Sequence, residues 1–306
     1  MDKRIQRVTP LPLCLCPAGY GGGGARSPIE RREFGMVSED TRRDDTKRAF
    51  DRVAADYDGP AGNNPIIQRM RSRMWHTLLE TFPTGAKLLD LGCGTGIDAA
   101  YLASRGYRVL ATDASPAMVE RTQGRLLENG LEHRASTRVV GLDELHALQG
   151  ETFDGLYSDL GPLNCAADLR RTADACAALL RPRSYMVASV IGRICPWEIV
   201  YYLAHGNWKR ASLRWQARPV PVPLQGETVW TRYFTPRQFY TAFAADFELI
   251  SYQGMRICSP PPYMLGVEQR LRPICAAAEW IDDRIGSLPP IRNAGDHFLM
   301  ILSKRA

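Results

Sequence analysis

The stretch Lys87-Leu88-Leu89-Asp90-Leu91-Gly92-Cys93-Gly94-Thr95-Gly96 decides the fold of this 306-residue chain. Its first half is a short apolar run typical of a buried strand, and its second half is a loop in which every second residue is glycine. A helical pattern over residues 97–104 follows directly. A strand that turns through glycines into a helix is the opening unit of a parallel α/β sheet, in which ligands bind beyond the carboxyl ends of the strands.

The same alternation of strand and helix continues along the chain. Further strand patterns lie at residues 107–112, 137–140, 153–158, 185–190, 247–252 and 297–303. Two amphipathic helices precede the glycine loop, over residues 39–57 and from 65 to about 80. Because helices separate most of the strands, we predict an α/β, Rossmann-like fold: a seven-stranded, mostly parallel sheet with helices on both faces.

The spacing of the glycines limits what the loop binds. A dinucleotide site of the G-x-G-x-x-G type would need its third glycine at position 97, which is Ile97. Asp113 ends the second predicted strand, 113 − 92 = 21 residues after Gly92. A carboxylate at that point accepts hydrogen bonds from both hydroxyl groups of a ribose. A nucleoside is therefore expected here, without the pyrophosphate of a nicotinamide cofactor.

These residues resemble motifs of the class I S-adenosylmethionine-dependent methyltransferases. The glycine stretch is similar to the first motif of that family, and Val109 to Met118 is similar to the second. Phe50 to Asp58 reads F-D-x-x-A-x-x-Y-D, similar to the segment that precedes the domain in the small-molecule (methyltransferase type 11-like) branch. The resemblance spans roughly residues 50–190 and implies an enzyme of class EC 2.1.1.- that uses S-adenosyl-L-methionine.

The resemblance also implies where that cofactor is held. Gly92, Gly94 and Gly96 are expected to pass close to its methionine part, and Asp113 to hold the ribose. The resemblance also implies cofactor contacts from four other residues, in the glycine loop and at the neighbouring strand ends: Asp90, Cys93, Ala114 and Ser158.

Three more residues are implied around the two ends of the cofactor. Met118 or a neighbour is expected to pack against the adenine. Asp143 is expected near the adenine amine, a place that Leu142 or Glu144 could take instead. Tyr57 either closes over the methionine end or packs as an ordinary residue of its helix.

Asp159 and Asn164 follow the fourth strand, where an acceptor should arrive. The leaving group of a sulfonium is already activated, so alignment and exclusion of water carry much of the rate enhancement. We therefore expect both residues to orient the acceptor, without naming a general base. Related enzymes often have asparagine after the serine of this strand, so Asp159 is a departure in the acceptor pocket.

The insertion over about residues 193–235 interleaves aromatic side chains with cations and holds few acids. Three interpretations stay open. It forms a lid over an apolar or aromatic acceptor that carries negative charge, a groove for nucleic acid, or a helical cap with its own small core.

Composition adds limits on domains, metals and location. Residues 1–38 lack hydrophobic periodicity and are predicted to be a disordered extension ahead of one methyltransferase domain over 39–306. The eight cysteines form no C-x-x-C pair, which favours a reduced, cytoplasmic protein and gives no support for a metal site. No apolar run approaches the roughly 20 residues of a membrane span.

Together these features predict methylation of a small, fairly apolar metabolite, such as a lipid precursor or a secondary metabolite. Two alternatives are an RNA or protein methyltransferase that docks through the basic insertion, and a non-catalytic, cofactor-binding partner subunit. Nucleic acid is disfavoured, because the chain has no separate RNA-binding module and no asparagine-proline-proline-aromatic tetrapeptide after the fourth strand. The acceptor, the methylated atom and the oligomeric state are left open.

Overall fold

The computed structural model describes residues 37–59 and 62–306 and is built around one central sheet. The strands are β1 (Lys87–Leu91), β2 (Arg108–Asp113), β3 (Ala135–Val139), β4 (Phe153–Ser158), β5 (Leu180–Ile191), β6 (Val220–Leu224), β7 (Glu227–Thr231), β8 (Phe247–Met255) and β9 (His297–Lys304). Seven of them form the sheet in the order β3-β2-β1-β4-β5-β9-β8. Only β9 runs against its neighbours in that sheet, so the predicted fold class is confirmed.

Helices cover both faces of the sheet. In the described residues they are α1 (Glu39–Val53), α2 (Pro65–Thr81), α3 (Ile97–Ser104), α4 (Pro116–Glu128), α5 (Leu169–Leu179), α6 (Pro196–Ala204), α7 (Trp208–Ala211), α8 (Pro236–Phe243), α9 (Leu265–Arg270) and α10 (Arg272–Ile285). Short 3-10 turns at Leu142–Leu148 and Pro162–Cys165 follow β3 and β4. None of the helices described is long and apolar enough to cross a membrane.

The pleat of β1 divides the core into two layers. Leu88 packs with Met74 and Leu78 of α2 on one face of the sheet. Leu89, the next residue, packs on the other face in a cluster that includes the α8 residues Phe239 and Phe243. Since successive residues of a strand point to opposite faces, a short apolar strand is buried on both sides only when helices cover both.

The first helix is shorter than the predicted span of 39–57. It ends at Val53, and the chain then turns through Tyr57 towards the glycine loop. Asp58 fixes that turn, because it accepts a hydrogen bond from Thr95 Oγ1 at 2.6 Å and pairs with Arg125. The predicted disordered extension over residues 1–38 lies, apart from its last two residues, outside the described part of the chain.

The insertion contains strands as well as helices, and none of the three interpretations of the sequence included the strands. After α6 and α7, strands β6 and β7 form a separate antiparallel hairpin. The hairpin lies against α1: the main-chain N–H of Trp230 donates to Thr46 Oγ1 at 3.0 Å, and the Trp230 indole donates to Asp45 at 3.0 Å. We call α6, α7 and this hairpin the cap.

A buried ionic cluster fixes the cap to the sheet. Arg214 contacts Glu198 at 2.5 Å and Asp296 at 2.6 Å, and Asp296 also contacts His297 Nδ1 at 2.8 Å. Although burial opposes it, the Arg214 charge holds the pKa of Asp296 well below its usual range. Cys195 joins the two acids in a group spaced as if to hold a metal ion, but the Arg214 guanidinium already pairs with both carboxylates.

Candidate functional site

A cavity of about 340 Å³ opens at the carboxyl ends of the strands on one side of the sheet. The strand order arranges its walls in a row: Asp143 follows β3, Asp113 ends β2, Gly94 follows β1 and Asp159 follows β4. The chain order of these strands reverses next to β1, which is where open α/β sheets bind their ligands.

The glycine loop presents bare main chain to this cavity at Gly94. Gly94 has a φ of +53°, and a Cβ built there would meet only the Tyr57 ring, at 3.9 Å. Gly96 has a φ of +78°, and its Cβ would lie 2.5 Å from Thr122 Cγ2. Gly94 therefore leaves space for a ligand beside the main chain, whereas Gly96 permits the close packing of α3 on α4.

Asp113 links the glycine loop to the start of α4. Its carboxylate accepts hydrogen bonds from the main-chain N–H groups of Gly94 at 3.0 Å and Ser115 at 2.9 Å. Burial raises the pKa of Asp113, while these N–H groups oppose the rise. Each carboxylate oxygen accepts more than one hydrogen bond, so the group can also receive the two hydroxyls of a ribose.

The first helix forms the roof of the cavity. Phe50 lies on its inner face, and the Tyr57 ring stands edge-on to Phe50 with centroids 6.3 Å apart. Below the roof, Met118 is buried, and Ala114 lines the cavity. Asp51 locks the roof to α4 by accepting a hydrogen bond from Ser115 Oγ at 2.5 Å.

Leu142, Asp143 and Glu144 all line the far end of the cavity. Glu144 accepts a hydrogen bond from the main-chain N–H of Gly141 at 3.2 Å. Burial raises the pKa of Asp143, and the N–H groups of Ala167 and Asp168 oppose it. Both carboxylates therefore have main-chain partners and line the cavity, so Asp143 stays a prediction for contact with a ligand.

Three residues expected at the cofactor lie behind the loop instead of lining the cavity. Asp90 is buried near Tyr157, and that burial raises its pKa well above the usual range. Ser158 is fully buried and donates to the carbonyl of Leu91 at 2.8 Å. Gly96 begins α3. All three shape the loop from beneath, and their contact with the cofactor stays a prediction.

Asn164 lies after β4, as predicted, and its side chain bonds to main-chain groups. Its side-chain amide donates to the carbonyls of Ile191 at 3.0 Å and Arg232 at 2.7 Å, and its oxygen accepts from the N–H of Ile191 at 2.9 Å. These bonds hold the end of β5 to the residue after β7. An amide committed in this way has no donor left for an acceptor molecule, so Asn164 joins the cap to the sheet.

Arg71 and Asp98 line the cavity, and sequence reasoning missed both. Arg71 is buried with its guanidinium 3.6 Å from Asp98, and its Nε has no hydrogen-bond partner among the described residues. Asp98 also accepts from the Trp75 indole at 2.7 Å. The sequence contains one signal for Arg71. It lies four residues after Ile67 and therefore on the apolar face of α2, where burying a cation is unfavourable unless it has a charged or polar partner.

Asp159 lies at the β4 end of the row. Its Oδ1 accepts from the main-chain N–H of Leu160 at 2.9 Å, while Oδ2 has no hydrogen-bond partner among the described residues. Burial and the charge of Asp98 raise the pKa of Asp159 to about 7, against the opposing influence of Arg71 and Ser189. Near neutral pH this carboxyl therefore exists in both protonation states.

Comparison with known proteins agrees with this geometry. The family model described as "Methyltransferase domain" matches residues 88–183. A ubiquinone biosynthesis O-methyltransferase from Methylocella silvestris is 29% identical over 240 residues, covering 71% of this chain and 84% of the relative. One of the same description from Xanthomonas axonopodis pv. citri is 30% identical over 138 residues, covering 45% of this chain and 56% of the relative.

The fold has a counterpart among solved structures. The 1,6-didemethyltoxoflavin-N1-methyltransferase of Burkholderia thailandensis, solved with 1,6-didemethyltoxoflavin and S-adenosylhomocysteine, superposes with a TM-score of 0.55 at 18% identity. The superposition covers 90% of this chain and 94% of that one.

Together the sheet, the glycine loop and the methyltransferase-domain match over residues 88–183 show an S-adenosylmethionine-dependent methyltransferase with the class I fold. The cavity fits that cofactor. Gly94 offers an open approach, Asp113 suits a ribose, and the unpartnered Nε of Arg71 suits the carboxylate of an amino acid.

Proposed function

We propose that the chain transfers a methyl group to a hydroxyl oxygen of a small, fairly apolar metabolite, such as a lipid or secondary-metabolite precursor. The observation that carries this proposal is the apolar wall where the acceptor would enter. Ile67, Leu160 and Pro162 line the cavity around the β1 and β4 ends. The two relatives named for O-methylation in ubiquinone biosynthesis support an acceptor of this chemistry.

The proposed order of cofactor contacts follows the row of strand ends. Asp143 lies at the adenine, Met118 against its face, Asp113 at the ribose, and Gly92 and Gly94 along the methionine part. Cys93 and Ala114 complete the walls between them.

We further propose that Arg71 receives the methionine carboxylate. Its guanidinium is buried, lines the cavity beside Asp98, and has a donor without a partner in the described chain. A charge-assisted hydrogen bond in such a dry setting is stronger than one in water.

The bound cofactor supplies a methyl group on a sulfonium, an electrophile whose leaving group needs no proton. What remains for the protein is alignment and exclusion of water. Tyr57 and Phe50 close the roof over that end of the cavity. Asp159 is placed to orient the acceptor hydroxyl, and with a pKa of about 7 it can accept a hydrogen bond in its ionised form.

A cytoplasmic location is also proposed. Six cysteines of the described residues, Cys93, Cys165, Cys176, Cys195, Cys258 and Cys275, are free. Unpaired thiols are typical of a reducing compartment.

The test has two stages. Calorimetric titration with S-adenosylmethionine and, separately, NADH should show saturable binding of the first alone. Transfer of labelled methyl groups is then measured to a prenylated catechol, to single-stranded RNA and to unfolded protein. Labelling of the catechol is expected. Labelling of RNA or protein alone, or binding with no transfer to any acceptor, would contradict the proposal.

A further inference from the structure

Two carboxylates and one guanidinium are buried together at one end of the cavity. Arg71 on α2, Asp98 on α3 and Asp159 after β4 are each 8% exposed, and all three line the cavity. The Arg71 guanidinium lies 3.6 Å from the Asp98 carboxylate. When both acids are ionised, this acidic cluster of three residues therefore carries one more negative charge than positive.

The groups around Asp159 leave its protonation state undecided near neutral pH. Burial and the charge of Asp98 disfavour the ionised carboxylate, while Arg71 and the Ser189 hydroxyl favour it, and the pKa of Asp159 is raised to about 7. Asp90 lies behind the glycine loop and contributes no cation, and its burial raises its own pKa well above the usual range. A positive charge added to the cavity would therefore favour the ionised form of Asp159.

S-Adenosylmethionine and its demethylated product differ by one positive charge. Both carry a carboxylate and an ammonium group, and the methyl donor also carries a sulfonium. Arg71 is proposed above to receive the carboxylate. The single net positive charge of the donor then balances the excess negative charge of the acidic cluster. The product has no net charge and leaves that excess uncompensated, which is unfavourable in a buried site of low dielectric constant.

We propose that Asp159 distinguishes the methyl donor from the demethylated product by charge: it ionises when S-adenosylmethionine binds and keeps its proton when S-adenosylhomocysteine binds. The proton leaves the carboxyl group for the solvent. The carboxylate proposed to orient the acceptor hydroxyl is then present in the complex with the donor and absent from the complex with the product. This inference rests on the proposed function for its cofactor and for the carboxylate contact of Arg71.

Calorimetry of the full chain in buffers of different ionisation enthalpy counts the protons released on binding. At pH 6.5 the ammonium groups of both ligands stay protonated, because an α-amino group has a pKa of about 7.7–8.0. S-Adenosylmethionine should release roughly 0.5–0.8 of a proton per site, and S-adenosylhomocysteine close to none. Because the donor binds the ionised form, its Kd should fall about tenfold between pH 5.5 and pH 7.5, while that of the product stays within about threefold.

Asp159→Asn keeps the shape of the side chain and removes its charge. This variant should release no proton on binding S-adenosylmethionine, and its Kd for that ligand should lose the pH dependence. Its Kd for S-adenosylhomocysteine should stay within about threefold of that of the unchanged protein at pH 6.5, which shows that the cavity is intact. Asp154→Asn, at the other end of β4, is the matched control and should behave like the unchanged protein with both ligands.

Two results would overturn the inference while the proposed function stands. The first is saturable binding of both ligands with equal proton release and equal pH dependence. The second is proton release by Asp159→Asn as large as that of the unchanged protein, which assigns the titrating group to another residue. Failure of the unchanged protein to bind either ligand would instead contradict the proposed function, and the inference with it.

Discussion

Asp113 and Gly94 are joined by a hydrogen bond of 3.0 Å from the glycine N–H to the carboxylate, so the residue placed to hold a ribose also holds the glycine loop. Loop geometry and ligand recognition therefore depend on one side chain. Asp113→Asn keeps an acceptor oxygen for the loop but removes the charge. We expect the Kd for S-adenosylmethionine to rise about tenfold to a hundredfold, measured by calorimetry.

Asp174→Asn is the matched control for that substitution. Asp174 is exposed on α5, where it pairs with Arg170 in the i,i+4 arrangement. The Kd of the Asp174→Asn variant for S-adenosylmethionine should equal that of the unchanged protein. Equal affinity for all three proteins would remove Asp113 from the ribose site.

Alanine at Gly94 and alanine at Gly96 should have different effects. Gly94→Ala fills open space beside the cavity and requires a positive φ, which destabilises by about 1 kcal/mol. It should weaken cofactor binding much more than folding. Gly96→Ala forces its Cβ against Thr122 and should lower the free energy of unfolding by about 3 kcal/mol. Urea unfolding and calorimetry on both variants check this, and a reversed pattern would contradict it.

Asp159 should make stability depend on pH in an unusual direction. Burial and Asp98 raise its pKa to about 7 in the fold. An acid with a higher pKa in the fold than in the unfolded chain destabilises the fold when it ionises, so stability falls as pH rises from about 4 to about 7. Asp159→Asn should remove this loss and gain on the order of 1–3 kcal/mol at pH 8 without cofactor. Urea unfolding across this range is the measurement.

Asp154→Asn supplies the comparison, because Asp154 is a partly exposed acid at the other end of β4 that pairs with Arg181. It should leave the fall in stability between pH 4 and pH 7 intact. If Asp159→Asn shows the same fall as the unchanged protein, the Asp159 carboxyl ionises normally and its proposed role at neutral pH is lost.

Arg71→Met tests the proposed carboxylate contact with two ligands. S-adenosylhomocysteine carries the amino acid part, and methylthioadenosine lacks it. Loss of a charge-assisted hydrogen bond should raise the Kd of the first about tenfold or more and leave that of the second within twofold. A parallel loss for both ligands would indicate a collapsed cavity. Arg69→Met, on the exposed side of α2, should affect neither.

Arg214→Met should loosen the cap. The substitution leaves Glu198 and Asp296 buried without their cation, which destabilises by about 3–5 kcal/mol. Hydrogen exchange of residues 196–224 should accelerate more than that of β1 and β4. Arg218→Met, an exposed position in the same segment, is the control. Uniform acceleration through the whole chain would instead make the cluster part of the global core.

Much of the fold could be predicted from the sequence, because local sequence patterns specify its strands and helices. Apolar runs separated by helical periods specify a parallel sheet, and the sequence spacing of Gly92 and Asp113 places both at neighbouring strand ends. The hairpin was not predicted. Pro221 and Pro223 alternate with the buried residues Val222 and Leu224. Prolines within an apolar run argue against a strand, except in an edge strand, and β6 is an edge strand of its two-stranded sheet.

The cavity was predicted less completely, since its walls come from distant segments. The residues around Arg71 do not predict that α2 packs next to the loop after β4, so the position of Arg71 in the cavity could not be predicted. Asn164 shows the opposite difficulty. A polar residue after a strand can contact a ligand or form hydrogen bonds with main-chain groups, and the sequence does not distinguish the two. In the fold, Asn164 bonds to main-chain carbonyls of β5 and of the cap.

The roof helix contacts both the cavity and the hairpin, and Thr46 belongs to both contacts: it lines the cavity and accepts a hydrogen bond from the main-chain N–H of Trp230. Because one helix contacts both, we expect docking of the hairpin and binding of the cofactor to be coupled equilibria. By reciprocity, whatever factor the docked hairpin adds to cofactor affinity, the cofactor adds to hairpin docking. A substitution at Trp230 is therefore expected to change the affinity for the cofactor, although Trp230 itself does not line the cavity.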